Sequence, residues 1–202
     1  MTQFTTITAL GILAAVSPGP DFALTLRYLA LGGRSESLWL VGGIAAGVMV
    51  HATYSVFGLS VIMVRSPALF TALKYAGALY LAFVGVKALL SKKVAPVRAQ
   101  QAVAQSRASA FRIGFFCNAL NPKTMVFFLS IFSSVVAQDT PVGIALLYGL
   151  DIALCHFAWF ALLVSFLTHP TIRQTITGAQ LPIARAMGGL LVFFGVRILL
   201  MA

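Results

Sequence analysis

The chain has 202 residues, 60% of them hydrophobic and only 9% charged, a composition outside the range of a water-soluble globular domain and too poor in charge for a disordered one. Its roughly 120 apolar residues match six spans of ~20 residues and leave little for a separate soluble domain. The net charge of +10 comes from 14 Lys and Arg against Asp21, Glu36, Asp139 and Asp151; the basic residues lie between or at the ends of apolar runs, where they meet anionic lipid headgroups, which argues against a nucleic-acid partner.

Apolar runs predict helices at about 4–31, 38–64, 68–91, 111–136, 142–168 and 182–201. This is an all-α polytopic membrane protein with one transmembrane domain. Ala14 and Ala15 resemble a signal-cleavage region, but residues 1–7 carry no Lys or Arg and hydrophobicity resumes beyond Pro20, so the first run is read as a retained span. Arg27, Arg34, Lys87, Lys92, Lys93, Arg98, Arg107, Arg112, Arg173 and Arg185 fall on one side of this topology, against Arg65, Lys74 and Arg197 on the other. The bias makes the first side cytoplasmic and both termini external. Residues 92–110 then form a cytoplasmic connector between a first repeat, 1–91, and a second, 111–202.

The repeats align at an offset of 110: Leu81, Phe83, Gly85, Val86, Leu89 and Leu90 face Leu191, Phe193, Gly195, Val196, Leu199 and Leu200, with Lys87 opposite Arg197. Three spans per repeat is an odd number, so the second repeat enters the membrane inverted, an arrangement common among secondary transporters. The first helix of each repeat carries a breaker. One is Ser17-Pro18-Gly19-Pro20-Asp21, the other Asn121-Pro122-Lys123. Proline removes a backbone donor and clashes with the preceding turn, and opened backbone is tolerated at membrane depth only where protein or water satisfies it. Matched interruptions therefore mark a candidate transport site.

Aligning Pro20 with Pro122 sets Asp21 opposite Lys123. A carboxylate and an ammonium brought to one cavity suit a small zwitterion, whose ammonium meets Asp21 and whose carboxylate meets Lys123 or the amides of a half-helix N-terminus. The alternative is a structural ion pair between the two. Asp151, in an apolar stretch of the fifth span, reads either as a proton-exchanging carboxylate or as a helix-packing hydrogen bond. His51 and His156 align at an offset of 105 and read as proton relays or neutral interhelical hydrogen bonds. Gly43 and Gly47 form a GxxxG pair that allows close helix approach, within the chain or in a homodimer. Trp39 reads as an interfacial anchor, and Trp159 as a packing or cavity residue.

No His, Cys and Glu spacing forms a metal site, no nucleophile and base stand together, and no cofactor is implied. Two readings from other classes remain. A membrane thiol-disulfide electron carrier would use Cys117 and Cys155, which lack CxxC spacing. A non-transporting scaffold would leave Asp21, Lys123 and Asp151 without a purpose.

At its breakers the sequence resembles the LysE/RhtB family of amino-acid exporters, and within it the threonine and homoserine exporter branch. The resemblance runs nearly end to end through Ser17-Pro18-Gly19-Pro20-Asp21-Phe22, Gly42-Gly43-Ile44-Ala45-Ala46-Gly47, Gly85-Val86-Lys87 and Asn121-Pro122-Lys123. It implies an exporter of small amino acids in a bacterial inner membrane, driven by proton exchange, in which these motifs matter to transport.

Overall fold

A computed structural model describes residues 2–17, 19–31, 33–91, 106–136, 139–167 and 170–201. Among them every regular element is a helix: α1 (Thr2–Val16), α2 (Pro20–Leu31), α3 (Gly33–Arg65), α4 (Pro67–Leu89), α5 (Arg107–Ala119), α6 (Pro122–Ser134), α7 (Val142–Phe166) and α8 (Pro170–Met201). Their starts follow local chemistry. Pro67 and Pro122 occupy first-turn positions where the missing N–H costs nothing, and the side chains of Ser66, Ser106 and Asn121 accept from backbone N–H groups of the turns they open. Gly33 takes φ +83°, the left-handed conformation glycine adopts freely, at the start of α3.

Among the described residues two helices are long and apolar enough to cross a membrane, Gly33–Gly58 within α3 and Val142–Phe166. Each of two bent pairs passes the same test as one broken span: Gln3–Val16 with Pro20–Leu29 at 56°, and Arg107–Ala119 with Pro122–Ser133 at 55°. That gives up to four crossings by length and composition, with a shorter apolar stretch at Ala78–Leu89. The helix limits differ from the apolar runs. α3 opens at Gly33 and α5 at Arg107, and α8 opens at Pro170 and continues through Pro182, where a start was expected. Hydropathy marks the apolar part of a helix, and polar turns prolong it without changing the backbone. The connector expected at 92–110 yields its last residues to α5, and 92–105 lie outside the described residues.

Helix packing rests on small residues, because between lipid-solvated helices close van der Waals contact replaces the hydrophobic drive of water. Gly43 and Gly47 let α3 cross α5 at backbone contact: a Cβ on Gly47 would lie 2.8 Å from Phe115 O, and one on Gly43 would overlap Phe111 O. The GxxxG pair is thus spent inside the chain. Gly85 and Gly188 form a similar crossing between α4 and α8, each Cβ position 2.6 Å from the other's carbonyl oxygen.

Two apolar clusters result. One joins Ile7 and Leu10 of α1 to Phe127, Phe128 and Ile131 of α6 through Val48 of α3 and Ile152 of α7. The other joins Phe22 and Tyr28 of α2 to Ala110 of α5 through Ile44 of α3 and Phe160 and Leu163 of α7. α3 and α7 are common to both, and the two helix breaks come between α1 and α2 and between α5 and α6, where one cluster gives way to the other.

Candidate functional site at the two helix breaks

Proline at position 122 has no N–H, so the carbonyl four residues earlier, Asn118 O, loses its helical donor. The structure replaces it twice. Asn121 N donates to Asn118 O at 2.7 Å, and His51 Nε2, from α3, donates at 2.8 Å. A carbonyl can only accept, so His51 carries its proton on Nε2 and its Nδ1 accepts from Tyr54 Oη at 2.8 Å. Asn121 closes the restart of α6 by accepting from Lys123 N at 3.0 Å.

The first break is closed from the other half of the chain. Ser17 N still reaches Leu13 O at 3.1 Å, and Gly19 O accepts from Ala23 N at 3.0 Å. Ser17 O, at the carbonyl end of α1, accepts from Lys123 Nζ at 2.9 Å, a cation at the negative end of a helix dipole. Gly19 stands beside that lysine, and even a Cβ there would meet Lys123 Nζ only at an ordinary contact distance of 3.4 Å.

Asp21, in the first turn of α2, is 7% exposed. Its Oδ2 accepts from Asn118 Nδ2 at 2.9 Å and from Asn121 Nδ2 at 3.4 Å, while its Oδ1 is buried without a hydrogen-bond partner of good geometry among the described residues, and the Cys117 thiol lies beside the carboxylate. Asn118 Nδ2 also lies 3.4 Å from Thr124 Oγ1. Each break thus presents a charged side chain to the other. Asp21 and Lys123 are not directly paired: the carboxylate is held by two asparagines and the ammonium by a main-chain carbonyl.

Ser17, Gly19, Asp21, Asn121 and Lys123 line one cavity together with Thr124, His156 and the aromatic rings of Phe22, Phe127 and Phe160. Its volume of about 20 Å³ holds a water-sized group and no more. Pro18 lies outside the described residues, and Pro20 and Pro122 shape the breaks without lining the cavity.

Of the remaining candidates, the structure brings His156 to the cavity and leaves the others apart. His51 caps Asn118 O from behind the second break. Asp151 faces α1, where its Oδ2 accepts from Thr8 Oγ1 at 2.7 Å. Trp159 packs against the α2–α5 cluster. Sequence reasoning passed over Asn118 and Thr124. The available signal was a second asparagine one turn before Asn121-Pro122, in a stretch otherwise apolar on that face.

The chain is similar to known efflux proteins along nearly its whole length. The chain is 31% identical to a threonine efflux protein of Salmonella typhimurium, over 99% of this chain and 98% of that one. It is 30% identical to a threonine efflux protein of Escherichia coli over 98% and 97% of the two chains. A homoserine/homoserine lactone efflux protein of Salmonella typhimurium is 28% identical over 64% of this chain and 62% of its own length. No solved structure matches. Residues 12–202, a stretch that contains both breaks and every residue of the cavity, match the LysE type translocator family, and the chain is therefore a membrane protein belonging to that family.

Proposed function

We propose that the protein exports small amino acids or their derivatives, threonine- and homoserine-like, by secondary active transport across the bacterial inner membrane in exchange for protons. The observation that carries this reading is the cavity at which both helix breaks meet, with a carboxylate from one and an ammonium from the other. The names of the relatives support the substrate class.

In a wider conformation of the cavity than the water-sized one seen here, the substrate ammonium binds Asp21 Oδ1, the acceptor left without a donor. Its carboxylate draws Lys123 away from Ser17 O, so occupancy loosens the cap on α1 as the cargo binds. Proton and ammonium compete for the Asp21 carboxylate, and this competition couples their opposed fluxes; His51 and Asp151, engaged with Asn118 O and Thr8, carry no proton in this scheme. A proton moving inward through 100 mV releases ~2.3 kcal/mol, which supports more than a tenfold outward gradient of cargo.

Six spans arranged as two inverted repeats, with both termini periplasmic, complete the proposal. Part of the packing pattern supports it, while the α4–α6, α2–α3 and α3–α4 contacts have no counterpart of similar extent among the described residues. Exchanging the repeats turns the α1–α7 contact into α5–α3, α2–α5 into α6–α1 and α3–α6 into α7–α2, while α3–α7 and α4–α8 map onto themselves.

Counterflow of labelled threonine and homoserine in proteoliposomes, with and without an imposed pH gradient, tests the reading. Wild-type protein exchanges at least one of them and accumulates it against the proton gradient. Asp21→Asn raises the half-saturating concentration at least thirty-fold and removes the pH dependence. Normal affinity and pH dependence in that variant would overturn the ammonium assignment.

A further inference from the structure

The cavity offers more hydrogen-bonding capacity than an ammonium and a carboxylate use. On the acceptor side stands Asp21 Oδ1, and on the donor side Lys123 Nζ. His156 is a third polar group on the wall, 3% exposed and reaching the cavity from α7. Its Nδ1 lies 2.9 Å from Ile152 O, one turn back on its own helix. The carbonyl accepts only, so Nδ1 holds the proton and Nε2 of the neutral ring is a lone pair. The ring lines the cavity, and its Nε2 has no hydrogen-bond partner among the described residues, so this nitrogen is the one open to a cavity occupant.

A zwitterion's two charged ends are already matched. Its ammonium prefers the carboxylate, since a hydrogen bond between ionised groups is roughly twice as strong as a neutral one. The donor left for Nε2 belongs to the cargo's side chain. Thr124 Oγ1 stands on the same wall and accepts from Asn118 Nδ2, so its own hydroxyl proton is available to an acceptor in the cavity. A side-chain hydroxyl, donor and acceptor at once, satisfies both.

We infer that His156 Nε2, assisted by Thr124, reads a side-chain hydroxyl on the cargo and makes this carrier selective for hydroxy amino acids. The inference rests on the amino-acid export reading and assigns His156 a contact with cargo. A site built to bond a hydroxyl rejects the analogue lacking it, because the buried acceptor is then left unpaired.

The decisive analogue is 2-aminobutyrate, which is both threonine and homoserine without the hydroxyl. Counterflow of labelled threonine is competed with unlabelled threonine, homoserine and 2-aminobutyrate in wild-type, His156→Leu and His156→Gln proteins. Wild type prefers threonine or homoserine over 2-aminobutyrate more than tenfold. His156→Leu brings the preference below twofold, and His156→Gln, which restores a neutral acceptor, recovers part of it. A wild-type preference below twofold overturns the inference without any variant. An unchanged preference in His156→Leu also overturns it, and if pH-driven accumulation is lost as well, His156 is a proton carrier. Should the leucine protein not survive purification, His156→Gln carries the test, and a preference equal to wild type in Thr124→Val then counts against the shared hydroxyl contact. Wild-type protein that exchanges none of the three overturns the export reading instead.

Discussion

The two helix breaks bend by nearly the same angle and are closed by different means. The second, between α5 and α6, is largely self-contained: Asn121 caps the restart, its N–H fills Asn118 O, and His51 adds a donor from the helix that α5 crosses most closely. The first relies for its exposed carbonyl on one lysine more than a hundred residues away in sequence. A break held by its own residues is a fixed joint, and one held by a charged side chain that also faces the cavity is a joint the cargo can release. If cargo displaces Lys123 as proposed, the joint between α1 and α2 is the one released, and the joint between α5 and α6 keeps its own bonds.

Replacing Lys123 by Met attacks the releasable joint and has the largest expected effect. It removes the proposed partner of the cargo's carboxylate and leaves Ser17 O without its charged donor, a bond worth about 1.5–3 kcal/mol. Exchange in proteoliposomes falls at least a hundredfold. His51→Leu attacks the fixed joint from outside. Asn118 O retains Asn121 N, so the loss is nearer ~1 kcal/mol, read as a lower thermal midpoint in detergent and a severalfold slower exchange with unchanged selectivity. Asn121→Ala removes the cap of α6 and the weaker of the two contacts to Asp21, at ~1 kcal/mol, with exchange reduced by a few fold. A His51→Leu or Asn121→Ala defect as deep as that of Lys123→Met would erase the distinction between the joints.

The breaks themselves were legible because a missing N–H is a property of one residue: Pro20 and Pro122 announce an interruption whatever surrounds them. Asp21 and Lys123 were legible because charge in an apolar run demands an interior explanation. The GxxxG pair named a close crossing but not its partner, since glycine specifies only what fits against it. The partners of His51 and Asp151 were hidden for the same reason. That His51 reaches Asn118 O depends on the depth of the α3–α5 crossing, and that Asp151 meets Thr8 depends on the rotation of α7 against α1; neither is encoded within a single helix. Direct pairing of Asp21 with Lys123 followed naturally from counting charges, yet three unmatched polar groups, Ser17 O and two asparagine amides, take those positions.

The bond between Lys123 and Ser17 also bears on how the chain is made. Translation delivers Ser17 and Asp21 about a hundred residues before Lys123 and the asparagines that bond them, so the first half of the chain is synthesised before the donors that complete its break exist.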